Sequence, residues 1–173
     1  MLDWGARSLI EVGCNEGQNL FLLARTAPDV HLAGVDVNRG ALTRAGARFA
    51  ALGRKVDLRE ASMEDLSAFP RNAFDVALSD AVLMYASPPV IRRALAEMLR
   101  VAPRVLISEW HDPDAGAAGR FHRGHWIYDY RTLLESLGAG DVVVRAFPRG
   151  AWADGDWTRF GHLIEASRAG GHD

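Results

Sequence analysis

The chain has 173 residues, 49% of them apolar, and its 20 Lys and Arg against 22 Asp and Glu give a formal net charge of −2. This length predicts one globular domain, residues 1–173, and the balanced charge argues against nucleic acid as a partner held by bulk positive charge. The single cysteine, Cys14, excludes an intrachain disulfide and cysteine-rich zinc sites. Because the sequence has neither a signal peptide nor an apolar run long enough for a bilayer, we expect a cytoplasmic protein with no membrane partner.

Short apolar runs alternate with segments of helical periodicity, which predicts an α/β fold with a parallel sheet covered by helices on both faces. Seven strands are predicted, at Ser8–Val12, Val30–Asp36, Lys55–Glu60, Phe74–Ser79, Arg104–Glu109, Asp141–Phe147 and Phe160–Ala166. Between them, residues 39–52 and residues 89–100 carry apolar side chains on one helical face. Residues 112–120, rich in Gly, Ala and Asp, are predicted to form a long mobile loop.

The segment LIEVGCNEGQNL, residues 9–20, passes from a strand to a helix through a turn that contains Gly13 and Gly17. Its spacing does not match the G-x-G-x-x-G pattern of a dinucleotide site. Glu11 and Glu16 would repel a pyrophosphate, whereas they would attract a ligand that carries a sulfonium and an ammonium group. The charge therefore favours S-adenosylmethionine over NAD, and a plain strand-to-helix turn with a solvated Glu16 is the alternative.

Asp36 ends the next strand, about 20 residues beyond the glycine turn, where a carboxylate can accept hydrogen bonds from both hydroxyls of a ribose. The same residue could instead be the N-cap of the helix that starts near Arg39. In combination with the glycine turn, the ribose interpretation is favoured.

Four segments in register resemble the class I S-adenosylmethionine-dependent methyltransferases. EVGCNEG resembles the first motif of that family, although Asn15 stands where its middle glycine is usual, and GVDVN resembles the second. EASMEDL, residues 60–66, resembles the segment beside the adenine, and FDVALSDAVLMY, residues 74–85, resembles the fourth strand with its active-site turn. The resemblance implies a three-layer α/β/α Rossmann-like fold whose seven-stranded sheet has an antiparallel last strand. It also implies methyl transfer from S-adenosylmethionine, with S-adenosylhomocysteine as the product.

The resemblance places the methionine end of the donor against the glycine turn, the ribose on Asp36 and the adenine between Val37 and Met63. Many relatives carry an acid at the position of Ser62, so adenine recognition there is expected to be weaker or shared with Glu64. Cys14 is expected to be a small residue that fits the loop and not a nucleophile. The expected donor-binding residues are Glu11, Gly13, Cys14, Asn15, Gly17, Asp36, Val37, Ser62, Met63 and Asp80.

Displacement at a sulfonium requires an aligned nucleophile, exclusion of water and, for an oxygen acceptor, removal of a proton. The expected catalytic residues are Asp80, which follows the fourth strand, Tyr85, which would shape the methyl channel, and His111. His111 belongs to the segment SEWHD, residues 108–112, and is the preferred general base because the pKa of a histidine lies near neutrality. A hydrogen-bonded structural histidine is the alternative.

The segment FHRGHWIYDY, residues 121–130, resembles the acceptor-recognition region of small-molecule methyltransferases, which implies a small-molecule acceptor. Its alternative interpretation is a helix start that packs on the domain. No metal is predicted, although His111, His122 and His125 lie near two aspartates in the sequence, because sulfonium displacement does not need one.

Many relatives have helices ahead of the first strand that cover the donor, whereas only seven residues precede Ser8 here. We expect the loop from Asp112 to Arg123, or a second copy in a homodimer, to cover the site. Two other functions stay open. One is an aminopropyl transferase, for which Glu16 would supply an additional acid near the donor, and the other is a binding or scaffold domain without turnover.

Overall fold

A computed structural model describes residues 5–148, 150–153 and 155–168. Its nine strands, in chain order, are β1 (Ser8–Val12), β2 (His31–Asp36), β3 (Asp57–Glu60), β4 (Val76–Asp80), β5 (Arg104–Trp110), β6 (Arg120–His122), β7 (His125–Ile127), β8 (Ala139–Ala146) and β9 (Gly161–Arg168). Seven of them form one sheet in the order β3-β2-β1-β4-β5-β9-β8. Strands β1 to β5 pair in parallel, and β9 runs antiparallel to both β5 and β8. The predicted mostly parallel sheet with an antiparallel last strand is confirmed.

Five α-helices flank the sheet, at α1 (Gln18–Thr26), α2 (Arg39–Ala51), α3 (Pro88–Val101), α4 (Tyr130–Ser136) and α5 (Gly155–Phe160). Helix α2 begins at Asn38, whose side-chain oxygen accepts a hydrogen bond from the backbone N–H of Ala41 at 3.1 Å. Asn38 is therefore the N-cap, and the alternative in which Asp36 caps this helix is wrong.

Apolar side chains cover both faces of the sheet, as expected for three layers. Helices α3 and α4 pack on the face that carries Ile10 and Val105, whereas α1 and α2 pack on the face that carries Leu9 and Val76. Alternate strand residues point to opposite faces, so neighbouring residues of one strand enter different core clusters. None of the helices in the described ranges is long and apolar enough to cross a bilayer.

The loop predicted at residues 112–120 joins β5 to β6. It contains a 3-10 turn at Pro113–Ala115, and the Asp112 carboxylate caps this turn by accepting from the N–H of Asp114 at 3.0 Å. Strands β6 and β7 then form a hairpin, whose two-residue turn has positive φ angles at Arg123 and Gly124. The segment between β5 and β6 is thus a loop with one short 3-10 turn, and its mobility stays a prediction.

Candidate functional site

A cavity of about 540 Å³ opens at the carboxyl ends of β1, β2 and β4. Strands β2 and β4 lie on opposite sides of β1, so the strand order reverses at this point, where open α/β sheets bind ligands. Six of the ten residues expected to bind the donor line this cavity, namely Glu11, Gly13, Cys14, Asn15, Asp36 and Asp80.

The turn after β1 has a left-handed backbone at Gly13, Asn15 and Gly17, with φ angles of 77°, 48° and 70°. A Cβ on Gly13 would lie 2.5 Å from Cγ2 of Val82, so a side chain there would collide with the turn after β4. Asparagine adopts this conformation more readily than most residues, which explains why Asn15 can replace a glycine. Gly17 does not line the cavity, and a Cβ there would meet the ring of Phe49 at 3.0 Å, so its contact is with the helix layer.

Cys14 lies at the base of the turn and is buried. Burial, together with the charge of Glu11, raises the pKa of its thiol to about 12. A Cβ on Gly34 of β2 would approach the Cys14 Sγ within 2.7 Å, so the two residues pack tightly. These surroundings favour a neutral packing residue over a nucleophile.

Asp36 is held in place by backbone groups at the edge of the cavity. Its Oδ2 accepts from the N–H of Asn15 at 2.8 Å, and its Oδ1 accepts from the N–H of Asn38 at 2.8 Å. Each carboxylate oxygen retains a further acceptor position, so a ligand with two hydroxyl groups could donate to it without displacing either bond.

Glu11, Asn19 and Asp80 form a chain of polar contacts on the cavity floor. The Asn19 amide donates to Oε1 of Glu11 at 2.8 Å and to Oδ2 of Asp80 at 3.0 Å. Oε2 of Glu11 is buried and has no hydrogen-bond partner among the described residues. Burial raises the pKa of Glu11 to about 7, the Asn19 bond opposes this rise, and the charge of Asp80 adds to it. The site therefore holds a carboxylate whose ionisation a cationic ligand would favour.

A second cavity, of about 510 Å³, adjoins the first and shares Ala81 and Tyr85 with it. Its aromatic walls come from Tyr85, Trp110, His125 and Trp157. Tyr85 is 64% exposed and borders both spaces, and its role in shaping a methyl channel stays a prediction.

The turn between the two cavities rests on Glu109, which is fully buried at the end of β5. Its carboxylate accepts from the N–H groups of Val82 and Leu83 at 2.6 Å and of Met84 at 3.2 Å. Burial raises the pKa of Glu109 to about 8, against the lowering effect of these three bonds. Glu109 thus holds the turn in place through three hydrogen bonds.

A comparison with protein families matches residues 9–103 to the methyltransferase domain. The chain belongs to this methyltransferase family. The predicted family is confirmed, and with it S-adenosylmethionine as the methyl donor. None of the curated proteins matches the chain significantly.

Solved structures with the same fold include the S-adenosylmethionine-dependent methyltransferase SibL in its apo form, at 24% identity and a TM-score of 0.71 over 94% of this chain and 50% of SibL. The [4+2]-cyclase SpnF has 23% identity and a TM-score of 0.71 over 93% of this chain and 75% of its own. A geranyl diphosphate C-methyltransferase from Streptomyces coelicolor A3(2), in complex with Mg²⁺, geranyl diphosphate and S-adenosyl-L-homocysteine, has 15% identity and a TM-score of 0.69 over 93% of this chain and 70% of its own. At these identities the likeness shows the fold alone, and the presence of a cyclase shows that the fold supports more than one reaction.

The structure gives His111 the surroundings of a structural histidine in this methyltransferase domain. Its side chain is buried, its Nδ1 accepts from the N–H of Tyr130 at 3.2 Å, and its ring packs edge-on against His162 at 5.1 Å. Burial lowers the pKa of His111, and neither cavity is lined by it. The interpretation as general base is not supported by this placement, and the preceding residue, Trp110, reaches the second cavity instead.

The expected adenine contacts are at the carboxyl ends of β2 and β3 but do not line the first cavity. Val37 is largely exposed, Met63 packs against the core beside α3, and Ser62 precedes it. The Glu64 carboxylate pairs with the Arg93 guanidinium at 2.6 Å, which argues against the expected sharing of adenine recognition. The adenine roles of Val37, Ser62 and Met63 stay predictions.

The histidines of the insert, His122 and His125, face each other across the hairpin, and both rings lie near Trp110. His122 lies 3.3 Å from the carboxylate of Asp156, whereas His125 lines the second cavity. Over the described ranges, no group of three or more His, Cys, Asp or Glu side chains is arranged to hold a metal ion. Asn19 and the role of Glu109 were not predicted from the sequence. Both residues lie outside the four segments that resemble the family motifs.

Proposed function

We propose that this protein transfers the methyl group of S-adenosylmethionine to a small-molecule acceptor by in-line displacement. The observation that carries the proposal is the charge of the first cavity, whose lining includes Glu11, Asp36 and Asp80, with no lysine or arginine among its described lining residues. A donor with a sulfonium and an ammonium group compensates these carboxylates, whereas a diphosphate would add to their repulsion.

The contacts suit the methionine and ribose parts of the donor. The unpaired Oε2 of Glu11 can accept from the ammonium of the methionine moiety, and Asp36 can accept from the ribose hydroxyls. Gly13 lets the ligand approach the backbone without a side chain in the way. Asp80 lies on the floor of the same cavity, where it orients either the donor amine or the incoming acceptor.

The chemistry requires little of the protein beyond alignment. The sulfonium already carries a good leaving group, so the protein lowers the barrier by holding the nucleophile in line with the S–CH₃ bond and excluding water. The border that Ala81 and Tyr85 form between the two cavities suits a path for the methyl group.

The aminopropyl transferase alternative depended on Glu16 as an additional acid beside the donor. The Glu16 carboxylate pairs with the Arg44 guanidinium at 2.7 Å, and Glu16 does not line the donor cavity. This arrangement disfavours that alternative. A binding domain without turnover is distinguished from an enzyme by assaying product formation.

Titration calorimetry with S-adenosylhomocysteine, S-adenosylmethionine and NAD tests the donor assignment. We expect heat from both adenosyl compounds and none from NAD. Asp36→Asn should weaken S-adenosylhomocysteine binding about tenfold or more, since hydrogen bonds to a charged group are worth about 1.5–3 kcal/mol. Asp65→Asn is the matched control, because Asp65 is exposed and its carboxylate accepts only locally, from the N–H of Ser67 at 3.1 Å. Tight NAD binding without heat from either adenosyl compound would overturn the proposal.

Turnover is tested by incubating the protein with isotopically methyl-labelled S-adenosylmethionine and a metabolite extract. Label in a small-molecule product, with S-adenosylhomocysteine formed in equal amount, supports the enzyme. Donor binding without label transfer, in extracts where a known methyltransferase does transfer it, would favour a binding domain.

A further inference from the structure

We propose that the second cavity binds a neutral, flat aromatic acceptor that carries a hydroxyl group, with the ring against Tyr85 and Trp157 and the oxygen oriented by His125. This inference rests on the proposed function, because it names the acceptor for the same methyl transfer. The volume of the second cavity, about 510 Å³, lies in the range of small-molecule sites. Because this cavity borders the first one, an occupant would lie beside the donor.

The aromatic walls favour a flat ligand. The Tyr85 and His125 rings meet edge to face with centroids 4.9 Å apart, and the Trp110 ring lies 5.1 Å from His125 and 6.2 Å from Trp157 in similar geometry. Tyr85 leaves most of its surface uncovered, although it belongs to a turn that Glu109 holds rigidly. A planar molecule can lie against such rings over its whole face, whereas a saturated ring of the same size cannot.

The charges inside the cavity favour a neutral ligand over a cationic amine. Its acidic side chain, Asp156, lies 3.3 Å from Nε2 of His122 and 3.6 Å from Nη1 of Arg123. This carboxylate is therefore already offset by neighbouring groups and offers little attraction for an added cation.

His125 supplies the polar contact that selects the hydroxyl. Its Nδ1 is buried without a hydrogen-bond partner among the described residues, so a proton at that position would be an unsatisfied buried donor. With the ring proton on Nε2 instead, His125 can donate a hydrogen bond to a ligand in the cavity that it lines. In this form His125 donates to an oxygen lone pair and positions the acceptor; it does not remove the proton.

The transfer balances without a protein base. The acceptor oxygen forms a bond to the methyl carbon while the C–S bond breaks. The electron pair of the C–S bond stays on sulfur, which gives S-adenosylhomocysteine. The hydroxyl proton leaves to water, so acidic phenols should react faster than weakly acidic ones. The expected pH profile follows the pKa of the phenol used.

Binding of 2-naphthol, measured by calorimetry with and without S-adenosylhomocysteine, tests the assignment. We expect 2-naphthol to bind at least tenfold more tightly than decahydro-2-naphthol, which is not flat, and than protonated 2-(aminomethyl)naphthalene, which is cationic. Tyr85→Ala and His125→Ala should each weaken 2-naphthol binding fivefold or more. His125→Gln should restore most of the binding and methylation that His125→Ala loses, because its amide can still donate.

Two variants serve as controls. Phe121→Ala removes an exposed ring of the same hairpin that does not line the cavity, and Leu22→Ala removes a side chain from a separate apolar groove that also borders Asp80. Both should leave 2-naphthol affinity unchanged. A loss in Leu22→Ala with no loss in Tyr85→Ala would place the acceptor in the groove and overturn the inference, as would equal binding of the three probes.

His125→Gln with methylation as low as His125→Ala and unchanged binding would make His125 a base and refute the orienting role. S-adenosylhomocysteine affinity, measured for every variant, keeps the two proposals distinguishable. If the protein bound no adenosyl compound but still preferred 2-naphthol to the other two probes, the proposed function would be refuted and the second cavity would still be a site for flat aromatic ligands.

Discussion

The first cavity, which we propose binds the donor (the donor cavity), and the second cavity (the aromatic cavity) meet at Ala81 and Tyr85, yet they are built in different ways. The donor cavity is formed at strand ends, and Asp36 there is fixed by backbone N–H groups. The aromatic cavity is formed by side chains from the turn after β4, the end of β5, the β6–β7 hairpin and helix α5. A site made of backbone and strand ends accepts one ligand type, whereas a site made of inserted side chains can change its ligand without altering the sheet.

The largest effect is expected where the two cavities share a support. Glu109→Ala leaves three N–H groups of the turn without their carboxylate acceptor, two of them buried, and should lower the free energy of unfolding by at least about 3 kcal/mol, since each unsatisfied buried group costs about 1–3 kcal/mol. Urea unfolding followed by circular dichroism measures it. Glu109→Gln keeps a carbonyl acceptor and should lose clearly less; an equal loss in both variants would contradict the hydrogen-bond explanation.

A smaller effect, confined to the donor cavity, is expected from Gly13→Ala. The left-handed backbone costs an alanine about 1–2 kcal/mol, and the contact with Val82 adds strain. We expect S-adenosylhomocysteine affinity to fall at least tenfold while 2-naphthol binding is retained. Gly53→Ala is the control, because Gly53 also has a positive φ but its Cβ would meet nothing. Equal loss of both ligands in Gly13→Ala would show that the cavities are not separable.

The pH dependence of donor binding tests whether the charge of Glu11 contributes to the affinity of the donor cavity. In the unliganded protein the pKa of Glu11 is about 7, so the ionised form that attracts an ammonium becomes populated as the pH rises through 7. Affinity for S-adenosylhomocysteine should therefore rise by up to about tenfold between pH 6 and pH 8, as for binding linked to loss of one proton. Calorimetry at each pH measures it, and the Glu11→Gln variant should lose most of this dependence.

The smallest effect is expected at the border itself. Ala81 has a φ of 54°, a conformation that a glycine adopts without strain. Ala81→Gly should raise the free energy of unfolding by up to about 1 kcal/mol, because relief of the left-handed strain exceeds the added chain entropy of glycine. Thermal unfolding measures the change. A lower stability would mean that the Cβ makes packing contacts that outweigh the strain.

The sheet and the donor cavity could be predicted because their signals are local. Apolar runs mark β1, β2, β4 and β5. Glu11 and Asp36 are recognised by their spacing in the sequence from the glycine turn. These features depend on residues close in sequence, and the strand order followed from the family resemblance.

The acceptor side could not be predicted in the same way. His111 and His125 look equivalent in sequence, but strand β5 carries the chain so that Trp110 faces the cavity and His111 packs against Tyr130. The support that Glu109 gives to Val82 joins residues 27 positions apart, and no periodicity reports such a contact. Long-range packing of individual side chains decides this half of the site.

The excess of carboxylates around the donor cavity has a consequence for the catalytic cycle. When the methyl group leaves, the sulfonium becomes a neutral thioether, and the nucleoside loses one of the two positive charges that the cavity attracts. Under the proposed function, the cavity therefore binds the product less tightly than the donor, and the same carboxylates that attract the incoming donor favour release of the product.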